Sequence, residues 1–162
     1  MEADFTIAII GSGPAGLSAA GHCASLGISH ILLEAQEHLA DTIYKYQKGK
    51  HVMAEPAMLG LRSPVSFAAG SRESILGQWN DEVAALGVQV QYNAPVVGIT
   101  GAKGRFQIEL ASSEIVSAAQ VVLAIGLQGN LRTLGVEGDH LPGIQYQLDN
   151  PEEYQGETII VV

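Results

Sequence analysis

An apolar stretch, Phe5–Ile10 (FTIAII), runs straight into Gly11-Ser12-Gly13-Pro14-Ala15-Gly16, and a small-residue helical pattern from Pro14 to about Leu26 follows. No other feature constrains the fold as tightly. FTIAII is short, rich in β-branched residues and apolar on both faces, which is the pattern of a parallel strand covered on both sides. Pro14 suits the first helical turn, where its missing N–H would have no partner anyway. Gly27 is placed to stop the helix. His30–Glu34 (HILLE) reads as a second short strand. Strand, glycine loop, helix and strand make one βαβ unit, and such a unit calls for a parallel sheet.

A G-x-G-x-x-G spacing by itself says little. Here it follows a strand, opens a helix, and has an acid, Glu34, at the end of the second strand, 23 positions after Gly11. That context is the one a dinucleotide site requires. Gly11 makes the tight turn, Gly13 lets the backbone approach a pyrophosphate, and Gly16 lets the helix pack close to the strand. The helix start offers free N–H groups and a positive dipole end. Glu34 can accept hydrogen bonds from a ribose diol and would repel a 2′-phosphate, so NADP is disfavoured at this site. The plain alternative is a tight turn beside a solvated glutamate.

The rest of the chain continues the α/β pattern. Glu37–Tyr46 can form a short helix, and Lys48-Gly49-Lys50, Pro56, Gly60 and Pro64 break any longer element. Ser71 can cap a helix over Arg72–Leu86, in which Ile75, Leu76, Trp79, Val83 and Leu86 share one face and Gly87 ends the run. Val88–Tyr92 is the next strand. Val96–Thr100, Arg105–Leu110 and Glu114–Ser117 read as three hairpin-linked strands. Gln120–Ile125 reads as a separate, fully buried strand ending at Gly126. Residues 127–156 look like a connector, and Thr158–Val162 (TIIVV) reads as the start of another buried strand. TIIVV repeats the texture of FTIAII, so the expectation is an internal repeat cut where its own glycine loop would begin.

Composition narrows the partners. The 162 residues carry 8 cationic and 17 acidic side chains, a net charge of −9, which argues against nucleic acid and anionic membrane. No apolar run approaches the ~20 residues of a membrane span. The N-terminus lacks a basic region before its apolar stretch, so the stretch reads as a strand rather than a signal peptide, and the cytoplasm is the expected location. The single cysteine, Cys23, excludes an intrachain disulfide and a cysteine-rich metal site. On the first helix it reads as a small buried hydrophobe. The five histidines (22, 30, 38, 51 and 140) show no metal-binding spacing. Tyr44–Lys50 gathers three lysines among aromatics; it can be a solvated loop or a surface that attracts an anion.

At this point the chain resembles a family, the two-dinucleotide-binding-domain flavoproteins that include the pyridine nucleotide–disulfide oxidoreductases. GSGPAG running into Leu17-Ser18-Ala19-Ala20 is similar to their FAD fingerprint. Ala124-Ile125-Gly126 resembles their second flavin motif, usually A-T-G, with Ile in place of Thr, so only backbone contacts remain at position 125. Ile43–Met53 and Phe67–Trp79 are similar to the low-molecular-weight thioredoxin-reductase-like and bacillithiol-disulfide-reductase-like proteins. Gly129-Asn130-Leu131-Arg132 resembles a G-N-P-R stretch found there. Asp149–Val162 resembles the crossing into the family's NAD(P)H domain.

The resemblance implies a Rossmann-like α/β domain: a parallel central sheet with helices on its faces and a three-stranded antiparallel meander. It implies an FAD-binding domain over residues 1–148, with 149–162 as connector and first strand of an NAD(P)H-binding domain. Gly11, Gly13, Pro14, Ala15 and Gly16 would hold the FAD pyrophosphate and Glu34 the adenosine ribose. Ala35 and Gln36 would lie near the adenine, Val96 would fix it through its backbone, and Ala124 and Gly126 would border the cofactor. Thr42 and His51 would approach the flavin side or make loop contacts only. No catalytic residue is implied. NAD(P)H would be the electron donor, and a disulfide, ferredoxin, other protein or low-molecular-weight thiol the acceptor. A homodimer is compatible with this reading. No cysteine lies in 35–60, where the high-molecular-weight disulfide reductases carry a redox pair. Two rivals stay open: a standalone dinucleotide-binding or sensing module without turnover, and a fragment of an NAD-dependent dehydrogenase.

Overall fold

The structure is a computed structural model, and it describes residues 3–54, 60–127, 132–148 and 150–161. Strand β1 (Phe5–Ile10) leads into helix α1 (Pro14–Ser25), and β2 (His30–Leu33) follows. A short helix α2 (Asp41–Tyr44), a two-residue strand β3 (His51–Val52) and another, β4 (Gly70–Ser71), precede helix α3 (Arg72–Leu86). Then come β5 (Val90–Gln91), β6 (Val96–Ala102), β7 (Arg105–Leu110) and β8 (Ile115–Leu123). One turn of 3₁₀ helix lies at Pro151–Tyr154.

The main sheet has the order β5-β2-β1-β8-β7-β6. β1 pairs in parallel with both β2 and β8, and β2 in parallel with β5. β6, β7 and β8 form the expected antiparallel meander. This is the Rossmann-like α/β arrangement read from the sequence. The chain passes from β1 through α1 to β2 on one side, while β8 lies on the other. The C-terminal end of β1 is therefore the point where strand order reverses, the position at which open α/β sheets place their ligands.

Strand alternation divides the core. Ile9 and Leu32 point to one face, where Leu17, Ala20 and Cys23 of α1 meet Ile75, Trp79 and Val83 of α3. Ala8, Ile10, Ile31 and Leu33 point to the other, with Ile108 and Leu110 of β7 and Val116 and Ala118 of β8. Each large apolar side chain so buried contributes about 1.5–3 kcal/mol. The face assigned to α3 is right: Ile75, Trp79 and Val83 are buried, and Leu76 and Leu86 pack beside them. Trp79 donates its indole N–H to the Ser66 carbonyl at 2.8 Å. Ser71 caps α3, its Oγ accepting the Ser74 N–H at 3.2 Å.

Several expectations need correction. The third meander strand and the strand Gln120–Ile125 are one continuous strand, β8: its first half pairs with β7 and its second half with β1. The two small residues Ala118 and Ala119 gave the appearance of a break. Nor is Gln120–Ile125 fully buried. Leu123 and Ile125 are 63% and 68% exposed, while Val121 and Ala124 of this segment pack against the two core clusters. Of TIIVV, the described residues Thr158, Ile159, Ile160 and Val161 form no strand. Ile160 and Val161 are largely exposed, and β propensity without a ladder partner does not make a strand. Val88–Tyr92 shortens to Val90–Gln91, and the β3–β4 pair had no sequence pattern long enough to show it. Residues 129–131 of the G-N-L-R stretch, Asp149, Val162 and Pro56 lie outside the described residues. Among the described residues, no helix is long and apolar enough to cross a membrane.

Candidate functional site

The loop after β1 is held between two strand ends. The Gly11 N–H donates to the Leu33 carbonyl at 2.8 Å, and the Ala124 N–H donates to the Ile10 carbonyl at 2.8 Å. Gly11 has φ +96°, a conformation that side chains rarely adopt. A Cβ on Gly16 would collide with the Gly11 carbonyl oxygen, so α1 can start this close to β1 only without a side chain there. Gly13 differs: nothing lies within 4 Å of a Cβ built on it. The loop is thus packed at its first and third glycines and open at its second, as a backbone cradle for a ligand requires.

Gly13 is the N-cap of α1, in extended conformation and with no side chain to cap the helix. The first N–H groups of a helix have no partner within it. Pro14 and Ala15 are exposed at this end, and Gly16 and Leu17 are buried beneath them. Unpaired donors, a positive dipole end and an open backbone edge suit a pyrophosphate.

Glu34 is not the solvated glutamate of the plain alternative. It is 6% exposed. Its Oε2 accepts the Ser12 backbone N–H at 3.0 Å and also the Ser12 hydroxyl, while Oε1 accepts the Gln36 N–H at 2.9 Å. Ser12 is fully buried, and its Oγ accepts the Ala40 N–H at 2.9 Å. Ala40 has φ +55°, unusual for a residue other than glycine, and serves as N-cap of α2. The carboxylate therefore ties the glycine loop to the end of β2 and to the start of α2. Its charge also acts on Tyr92, whose phenol is pushed up first by burial and then by the Glu34 charge.

The other expected residues fall around this centre. Ala35 and Gln36 are exposed just beyond β2. The Gln36 carbonyl accepts the Asn93 N–H at 3.0 Å and the Glu34 carbonyl accepts the Ala94 N–H at 2.8 Å. Val96 opens β6 two residues later; its side chain packs into the core on the meander face, leaving its backbone as the part free to contact a ligand. Ala124 stands against the glycine loop, with its Cβ 3.4 Å from one built on Gly16. Gly126 follows with φ +65°, exposed. Thr42 and His51 are exposed on α2 and β3. Ser12, Ala40 and Tyr92 were missed. Ser12 occupies a position that the glycine spacing leaves free, and Ala40 and Tyr92 carry no motif.

A shallow cleft of about 330 Å³ lies at the other end of β2, lined by Gly27, His30, Leu86 and Gly87. The chemistry converges at the glycine loop instead. A second concavity, about 310 Å³, is formed by Tyr44, Lys45, Tyr46, Lys48 and Arg72. There Lys45 pairs with Asp41 at 2.8 Å, Lys50 lies over the Tyr46 ring, and Arg72 lies over the Tyr44 ring.

The model of one protein family, described as pyridine nucleotide-disulphide oxidoreductase, matches residues 8–162. The chain belongs to this family. Among the relatives of this chain is the ferredoxin–NADP reductase of Ignicoccus hospitalis, 27% identical over 154 residues, covering 95% of this chain and 47% of that protein. Another, from Granulibacter bethesdensis, is 25% identical and covers 98% of this chain and 44% of that protein. Among solved structures, the bacillithiol disulfide reductase of Staphylococcus aureus shares the fold with a TM-score of 0.77 at 24% identity, over 95% of this chain and 48% of that one. The chain spans about half the length of the curated relatives it matches.

Proposed function

We propose that this chain is the FAD-binding part of an NAD(P)H-dependent flavin oxidoreductase. One observation carries the reading: a glycine loop packed at Gly11 and Gly16 and open at Gly13 forms the N-terminus of α1 beside the buried carboxylate of Glu34. Gly11, Gly13, Pro14, Ala15 and Gly16 would hold the pyrophosphate, and Glu34 the adenosine ribose. Ala35, Gln36 and the Val96 backbone would border the adenine, and Ala124 and Gly126 the rest of the cofactor. FAD, when bound, supplies the hydride and single-electron chemistry, while the protein binds and orients it. Residues 1–148 would form the FAD domain, and 149–162 lead towards a nicotinamide-binding domain.

The electron donor in this reading is NAD(P)H. The acceptor is a ferredoxin, a disulfide or a related group, in keeping with ferredoxin–NADP reductases among the relatives and a disulfide reductase among the shared folds. The sole cysteine, Cys23, is buried in α1, so this chain brings no dithiol to the reaction. A cytoplasmic location fits the reading.

Titration with FAD, followed by quenching of flavin fluorescence, tests it. Saturable binding that weakens by about 1.5–3 kcal/mol in Glu34→Ala is expected, the worth of a hydrogen bond to a charged group. Saturable NAD binding with none of FAD would move the chain to the dehydrogenase reading.

A further inference from the structure

Glu34 cannot move freely. Its carboxylate receives the Ser12 N–H and the Ser12 hydroxyl on one oxygen and the Gln36 N–H on the other. A carboxylate has about four acceptor positions, so about one remains open, on the Oε1 side. The backbone donors are fixed by the loop and the strand end. The hydroxyl is the one side-chain donor of the three, so a substitution can remove it and leave the backbone unchanged. Ser12 Oγ accepts the Ala40 N–H on a lone pair and gives its single proton to Glu34. The chain of donors runs one way: Ala40 N–H to Ser12, Ser12 O–H to Glu34.

A glutamate at the surface could swing away from an incoming phosphate and let water screen the two charges. Here the side chain is 6% exposed and its anchor, Ser12, is fully buried. Swinging out would leave the Ser12 hydroxyl and N–H unpaired in the interior, and each unpaired buried group carries a penalty. The negative charge therefore stays where a ribose 2′ substituent would arrive.

We propose that Ser12 is a positioning residue that sets the specificity of the site: its hydroxyl locks the Glu34 carboxylate so that a free ribose 2′-hydroxyl is accepted and a 2′-phosphate is refused. This rests on the reading of Glu34 as the ribose ligand. Ser12 itself touches no ligand and acts through Glu34.

The test compares ADP-ribose with 2′-phospho-ADP-ribose, which differ only in the group at issue, by calorimetric titration of the chain and of its variants. The wild type is expected to favour ADP-ribose at least about ten-fold, the scale of one charged contact. Ser12→Ala is expected to reduce that preference at least about three-fold, chiefly by gaining affinity for the 2′-phosphate form. A merely structural role would weaken both ligands alike and leave the ratio unchanged. Ser12→Cys keeps the shape with a weaker hydrogen bond and should give an intermediate ratio; it decides the matter if the alanine variant does not fold. A wild type that binds both ligands equally would overturn the assignment of Glu34 to the ribose. A wild type that discriminates, with variants that discriminate just as well, would leave Glu34 in place and overturn the role of Ser12.

Discussion

The carbonyl oxygen of Ala124 stands 2.6 Å from the point that a Cβ on Gly11 would occupy. The end of β8 thus closes directly on the turn after β1, and two segments more than a hundred residues apart share one packed contact. Gly11→Ala would meet this backbone atom and also a φ of +96° that alanine rarely tolerates. Such backbone strain costs on the order of 1–3 kcal/mol. Urea unfolding of Gly11→Ala should show its midpoint falling with an unchanged slope, together with loss of flavin binding. A midpoint equal to the wild type would mean that the turn is not built as described.

Gly13→Ala should behave in the opposite way. Gly13 has an ordinary φ of −66°, and its Cβ position is open. The fold should keep its stability to within about 0.5 kcal/mol, since the poorer N-cap that alanine makes is offset by the smaller chain entropy it loses on folding at a compatible φ. The added methyl would stand in the backbone cradle, so FAD affinity should fall by about ten-fold or more, the 1.4 kcal/mol scale of one lost contact. Equal stability with equal affinity would place the pyrophosphate elsewhere.

These two glycines show what could be read from the chain alone. Spacing and context placed β1, α1, the loop and the capped helix α3, because each rests on local chemistry: a glycine where φ is positive, a proline in a first turn, a serine at an N-cap. What could not be read depends on distant partners. β8 looked like two strands, since nothing local to Ala118 and Ala119 tells that β7 and β1 pair with successive halves of one strand. TIIVV had the composition of a strand, and its residues 158–161 pair with no strand among the described residues. Glu34 was placed by its spacing, but its burial was not foreseen. Its three internal donors come from Ser12 and Gln36, and only the folded loop brings Ser12 beneath it.

Ser71→Ala should destabilise the chain by about 0.5–2 kcal/mol, the usual worth of a side-chain N-cap. Ser71 Oγ accepts the Ser74 N–H, and Ser71 also pairs with His51 in the β3–β4 ladder, which is a backbone contact that alanine retains. Ser71→Asp keeps an acceptor at the cap and should recover most of the loss. Thermal unfolding of the three proteins checks this; an alanine variant as stable as the wild type would show that the cap contributes nothing.

Cys23 should be unreactive in the native state. The residue is 6% exposed, and burial pushes its thiol up from the ordinary value, which lowers the thiolate fraction that alkylating agents attack. Iodoacetamide near pH 8 should label native protein about ten-fold more slowly than urea-unfolded protein, or slower still. Since the folded thiol has the higher pKa, its contribution to stability is full below the unfolded value near ~8.5 and is lost as pH rises through the folded one. Cys23→Ala should remove that alkaline decline. Rapid native labelling would contradict the packing of α1 on α3.

Tyr92 offers a reporter for Glu34 that needs no ligand. Its phenol is pushed above the ordinary tyrosine value, first by burial and second by the Glu34 charge. Ionising it would set a phenolate against a carboxylate that the Ser12 and Gln36 donors hold in place. In an ultraviolet tyrosinate titration, the difference between the wild type and Tyr92→Phe isolates this one side chain among the five tyrosines. It should titrate above an unperturbed tyrosine. Glu34→Gln should lower its midpoint, and only in part, because burial is the larger cause and remains. The sign for stability follows: the folded value is raised, so the contribution is intact below the unfolded pKa near ~10 and disappears as pH climbs through the folded one. An unchanged Tyr92 midpoint in Glu34→Gln would mean that the carboxylate does not act at Tyr92, and the geometry assigned to the ribose end of the site would have to be revised.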